Sequence, residues 1–88
     1  MELTMKDLEK TFKEAIDYSA KYIGVKIAME GFPKAEVIIN QTKNFKTKLS
    51  YYKKAYNDNL ILNTFNGIQI VGFNYSNDFQ TLEETLIG

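Results

Sequence analysis

The chain of 88 residues has no cysteine, no histidine, no tryptophan and no arginine, and only one proline. Each absence removes a class of chemistry. Without cysteine there is no disulfide framework, no thiolate nucleophile and no thiolate zinc site. Without histidine there is no imidazole base, so serine–histidine and cysteine–histidine catalysis are both excluded. Without arginine, a phosphate can be met only by lysine point charges, not by a bidentate guanidinium fork. No stretch approaches the ~20 apolar residues of a membrane-spanning helix. The start, Met1 to Asp7, lacks the apolar core of a signal peptide. These features point to a cytoplasmic protein without a membrane partner. No glycine-rich phosphate loop and no metal-ligand spacing occurs; Asn66-Gly67 and Gly72 stand alone. The expectation is therefore a non-enzymatic protein with no catalytic residue, no cofactor and no metal.

What is present is a globular composition. Hydrophobic residues make up 44% and charged residues 25%, the balance of a folded chain rather than a disordered one. The length predicts one domain, 1–88, with a modest core.

Along the chain, Thr4 and Asp7 have the spacing of a capping box. Leu8, Phe12, Ala15, Ile16 and Ser19 follow at helical intervals, predicting an amphipathic helix over about 5–21. Ile23, Val25, Ile27 and Met29 then alternate with Gly24, Lys26, Ala28 and Glu30, as on a half-buried strand. With the turn residues Gly31-Phe32-Pro33 and the β-rich run Ala35 to Gln41, residues 23–41 read as a hairpin. Asn44 is a candidate cap for a helix over 45–56, whose apolar stripe is Phe45, Leu49, Tyr52 and Tyr56. Leu60 to Asn63 and Ile68 to Tyr75, joined through Asn66-Gly67, read as a second hairpin. Ser76, Asn77 and Asp78 precede a last short helix carrying Phe79, Leu82 and Leu86.

The order is α-ββα-ββα, and the two ββα units align at an offset of 34 residues. Tyr22, Ile27, Val37, Asn40, Phe45 and Thr47 match Tyr56, Ile61, Val71, Asn74, Phe79 and Thr81, six identities in 33 positions, where average residue usage gives about two by chance. The expected architecture is α+β: an N-terminal helix (1–21) followed by two pseudo-repeated hairpin-helix units (22–55 and 56–88). Their hairpins would form a four-stranded antiparallel sheet, with both repeat helices on one face. Ile23, Val25, Ile27, Val37, Ile39, Ile61, Val71 and Phe73 would face those helices. The other face would then carry Leu60, Leu62, Ile68 and Ile70, too apolar for water. Either the N-terminal helix covers it or it is an interface, for instance in a homodimer.

The zero net charge is unevenly distributed: residues 1–33 carry −1, residues 34–54 carry +5 and residues 55–88 carry −4. On the helical wheel Lys43, Lys46, Lys53 and Lys54 lie away from the apolar stripe, with Tyr51 beside it. Lysine for phosphates and tyrosine for base stacking make this a candidate nucleic-acid or nucleotide surface. The acids near the C-terminus, Asp78, Glu83 and Glu84, read as a helix cap and a solvated face. Phe32 and Phe65 fall at matching hairpin tips, where an aromatic ring either folds back onto the core or projects as an anchor.

The segments GFPKAEVIIN, NFKTKLSYYKKAYNDNL and FNGIQIVGFNY resemble small uncharacterised proteins of phages and prophages of low-GC Gram-positive bacteria. The likeness spans most of the chain from about residue 20 and carries no catalytic motif. It implies an accessory factor in the host cytoplasm that binds and modulates a host protein, such as an anti-CRISPR-like or other inhibitor of a host defence. The alternatives are a nucleic-acid-binding protein using the lysine-rich middle helix, and a sponge that sequesters a nucleotide signal.

Overall fold

The first helix, α1 (Met5–Asp17), begins where the capping residues place it. The Thr4 N–H donates to Asp7 Oδ2 at 2.8 Å, and the Thr4 hydroxyl donates to the same oxygen at 3.1 Å. The helix buries Met5, Leu8, Phe12 and Ala15. It stops four residues before the expected end. The Ala20 N–H donates to Ala15 O and the Ser19 N–H to Ile16 O, with Ser19 at φ +55. That pair of bonds is a Schellman closure, here built on serine rather than glycine. It turns the chain directly into the sheet.

The rest of the computed structural model, which describes residues 2–87, comprises β1 (Tyr22–Met29), β2 (Glu36–Gln41), a 3₁₀ turn (Thr42–Asn44), α2 (Phe45–Ala55), β3 (Ile68–Ser76) and α3 (Phe79–Ile87). The sheet has three strands in the order β2-β1-β3, and both neighbours run antiparallel to the central β1. The fold is thus an α+β domain of three helices and a three-stranded sheet, and the expected four-stranded, two-hairpin repeat does not form.

The missing strand is Leu60–Asn63. It makes only two isolated bridges, Tyr56↔Leu62 and Ile61↔Gln69. Local turn chemistry takes its backbone instead. Asn57 Oδ1 accepts from the N–H groups of Asn59 (2.9 Å) and Ile61 (3.0 Å). The Asn57 N–H donates to Ile61 O, the Leu60 N–H to Asn57 O and the Asn63 N–H to Ala55 O. The segment closes into a loop on the end of α2, as asparagine side chains favour. Leu60 sits at φ +65 and is fully buried.

The layers also differ from the expectation. Ile23, Val25 and Ile27 of β1 pack with Ile70 of β3 against Met5, Leu8, Phe12 and Ala15 of α1 and Phe45 and Tyr52 of α2. The Phe12 ring meets Phe45 and Tyr52 edge-on, at 6.1 and 6.4 Å between centroids. So α1 and α2 share one face. The third helix covers the other, where strand alternation presents Gly24 and Lys26. A Cβ on Gly24 would run into Leu86 and lie 3.3 Å from Leu82, so glycine lets α3 sit close. The two helices aligned by the pseudo-repeat therefore lie on opposite sides of the sheet.

Two register details explain the side-chain placement. Tyr22 pairs with Gln41 and Lys26 with Val37, which puts Val37 and Ile39 on the α3 face rather than with Val25. The register between β1 and β3 shifts at Lys26/Ile27, leaving Val71 as an extra residue between Gly72 and Ile70. Val71 is exposed and Ile70 is buried, the reverse of the expectation. A bulge inverts the alternation beyond it. Ile61, expected in the core, lies in the closed loop. Among the described residues no helix is long and apolar enough to cross a membrane.

Candidate functional site

The two expected loop tips come together at one end of the sheet. Met29 pairs with Ile68 at the ends of β1 and β3. Just beyond, the Glu30 N–H donates to Gly67 O at 2.7 Å. Each tip closes on itself: Phe32 N–H donates to Met29 O, Phe65 N–H to Leu62 O, and Ile68 N–H to Phe65 O. A Cβ on Gly67 would stand 2.7 Å from both Phe65 Cζ and Glu30 Oε2, so with glycine here the ring and the carboxylate lie close over this turn, and a side chain would push their tips aside. The mount is hydrogen-bonded, yet both rings stay out of the core: Phe32 is 65% and Phe65 49% exposed. The Glu30–Gly67 link had no signal in the sequence, because it joins positions that local patterning does not relate.

The lysines of the 3₁₀ turn and α2 divide into two groups. Lys46, Lys53 and Lys54 line one open hollow of about 430 Å³ with Leu49 and Ser50. Lys53 Nζ lies 3.4 Å from Glu9 on α1, so part of its charge is already answered. Lys43 stands apart, lining a second hollow of about 360 Å³ with Lys21, Tyr22, Gln41 and Thr42. Tyr51 is half exposed, with Lys48 Nζ 5.4 Å from its ring centroid. Nothing in the sequence pattern sets Lys48 or Lys21 apart from the other lysines. Lys21 comes beside Lys43 because Tyr22 pairs with Gln41 and Thr42 bonds to Lys21 O through both its N–H and its hydroxyl.

The apolar quartet does not form one open surface. Leu60 and Ile70 are fully buried, and Leu62 and Ile68 are half-buried against the same core. The closed loop and the bulge turn these residues inward.

Electrostatic perturbation is confined to a few groups. Burial, aided by Tyr56 and Tyr51, pushes the Tyr52 hydroxyl up to about 12, and that hydroxyl makes no hydrogen bond among the described residues. A hydrogen bond from the Thr81 hydroxyl holds the Asp78 carboxyl below its usual range, consistent with a role at the start of α3. Among the described residues no three acidic side chains gather as a metal site would need.

Comparison of the chain with family models, with curated proteins and with solved structures finds no match.

Proposed function

We propose that this protein is a non-enzymatic binding module that grips a partner protein through the joined tips carrying Phe32 and Phe65. One observation supports the reading: two large aromatic rings are held exposed on loops that a backbone hydrogen bond ties together. Exposed rings on an ordered mount lose little conformational freedom on binding, and aromatic anchors dominate interface energetics. The resemblance to phage and prophage proteins makes a cytoplasmic host protein, including a component of a host defence, the expected partner.

The test is affinity capture from a low-GC Gram-positive extract with wild type and with Phe32→Ala/Phe65→Ala. A protein held by wild type should be lost, or weakened by about tenfold or more, with the variant. The circular dichroism of the variant should be unchanged, because neither ring belongs to the core. Equal retention by both proteins, or retention by neither, overturns the reading.

A second reading rests on Lys46, Lys53 and Lys54 sharing one hollow near Tyr51. A single-stranded nucleic acid bound there should dissociate steeply with salt. Absence of binding at ~50 mM salt removes this alternative.

A further inference from the structure

The two edges of the sheet are treated differently. Along β3, Leu60 O accepts from the Ile70 N–H and the Leu62 N–H donates to Ile68 O, both at 2.9 Å. The loop thus occupies part of that edge, and the bulge at Val71 bends the rest of the strand. Along β2, no strand pairs with the outer side among the described residues. Glu36-Val37-Ile38-Ile39-Asn40-Gln41 contains no lysine, no proline and no glycine. Edge charges, prolines and bulges are the usual devices against strand addition; β2 carries only Glu36 at its first position, with Pro33 and Lys34 confined to the turn before it.

The register identifies the free backbone groups. The Thr42 N–H donates to Lys21 O at 3.1 Å while the Lys21 N–H turns to Asn77 Oδ1; the single bond still sets the phase of the ladder, with the next pair, Tyr22/Gln41, not hydrogen-bonded. The two kinds of pair alternate along an antiparallel ladder. Asn40 and Ile38, opposite Ile23 and Val25, therefore point their N–H and C=O groups at β1. Val37, Ile39 and Gln41 point theirs outward.

From this we infer that β2 is a self-association edge, and that its occupant is β2 of a second copy, paired antiparallel about a two-fold axis. Such pairing centred on Ile38 preserves the faces of the sheet. It sets Val37 against Ile39 of the second copy in both hydrogen-bonded pairs, Ile38 against its own equivalent, and Glu36 against Asn40. Every central pair is β-branched on β-branched, which favours cross-strand packing, and no like charges oppose each other. The two sheets join into one, with α3 on one side and the α1/α2 layer on the other. The two Phe32/Phe65 ends then lie at opposite ends of the joined sheet, both free. The contact is isologous and closes at two copies.

Sedimentation equilibrium combined with residue-resolved hydrogen exchange tests this. Wild type should sediment at twice the monomer mass. The Val37 and Ile39 amides should become protected as concentration rises, while the Ile38 and Asn40 amides stay protected throughout. Val37→Lys should weaken the dimer by about tenfold or more through charge repulsion across the edge. Ile39→Pro removes an outward N–H without touching the β1 ladder and should act the same way. A wild-type protein still monomeric at about 100 μM, well above a micromolar dissociation constant, overturns the inference. So does a dimer in which the Val37 and Ile39 amides exchange freely.

Discussion

At the scale of single residues, Tyr52 shows how an apolar stripe can carry a polar cost. Its ring fills the space between α1 and α2, in edge contact with Phe12 and Tyr56, while its hydroxyl has no partner among the described residues. A buried, unpaired hydroxyl costs about 1–3 kcal/mol. Tyr52→Phe keeps the ring and removes that cost, so it should raise stability by about 1 kcal/mol in urea unfolding. The same group sets a pH dependence. In the unfolded chain it ionises near 10, whereas in the fold it keeps its proton to about 12. Above pH 10 the unfolded chain has released a proton that the native chain still holds, so stability falls as pH rises from 10 towards 12. Below pH 10 the contribution is constant. Tyr56, also raised by burial, acts in the same direction. Melting curves across this range should fall less steeply for Tyr52→Phe than for wild type.

At the scale of elements, the contest lies between strand pattern and turn chemistry. Leu60 to Asn63 has the composition of a strand, but Asn57 offers its carboxamide oxygen to two nearby N–H groups, and the local closure wins. Asn57→Ala should lower stability by about 1–2 kcal/mol, measured by urea unfolding, because it frees those two donors. The helices were more legible than the strands. The start of α1 was readable from Thr4 and Asp7, and the stripe of α2 from Phe45, Tyr52 and Tyr56, because both depend on residues within a turn or two. The Schellman end at Ser19 was hidden, since serine rarely takes the left-handed conformation. The faces of β2 and β3 were hidden too. An even number of residues between the paired Ile27 and Glu36, and one bulged residue in β3, each reverse the expected inside–outside order, and neither leaves a compositional mark.

At the scale of the whole molecule, the sheet separates two hydrophobic contacts of unequal size. The larger lies under α1 and α2, whereas α3 is held by Leu82 and Leu86 over Gly24 and the strands. Opening of α3 should therefore cost less than global unfolding. Leu82→Ala should remove about 2–4 kcal/mol from that contact. Native-state hydrogen exchange should speed up first in α3, with α1 and β1 little changed; uniform acceleration would show one inseparable core. The same layering gives the charge pattern its geometry. The lysines of α2 and the acids Glu83 and Glu84 of α3 lie on helices on opposite sides of the sheet, while the acids Asp7, Glu9, Glu14 and Asp17 of α1 share the side of α2.

Composition alone determined which chemistries are closed to this protein, and short-range periodicity determined where its helices begin, because both are properties of residues near one another in the chain. It also marked Phe32 and Phe65 as tip residues. Tertiary structure alone decided that the two tips share a mount, that Leu60 and Ile70 belong to the core, that α2 and α3 part company, and that β2 is left at an open edge. Each of these depends on strand register and on hydrogen bonds between distant segments. A shift of one residue reverses them while leaving the local pattern of the sequence unchanged.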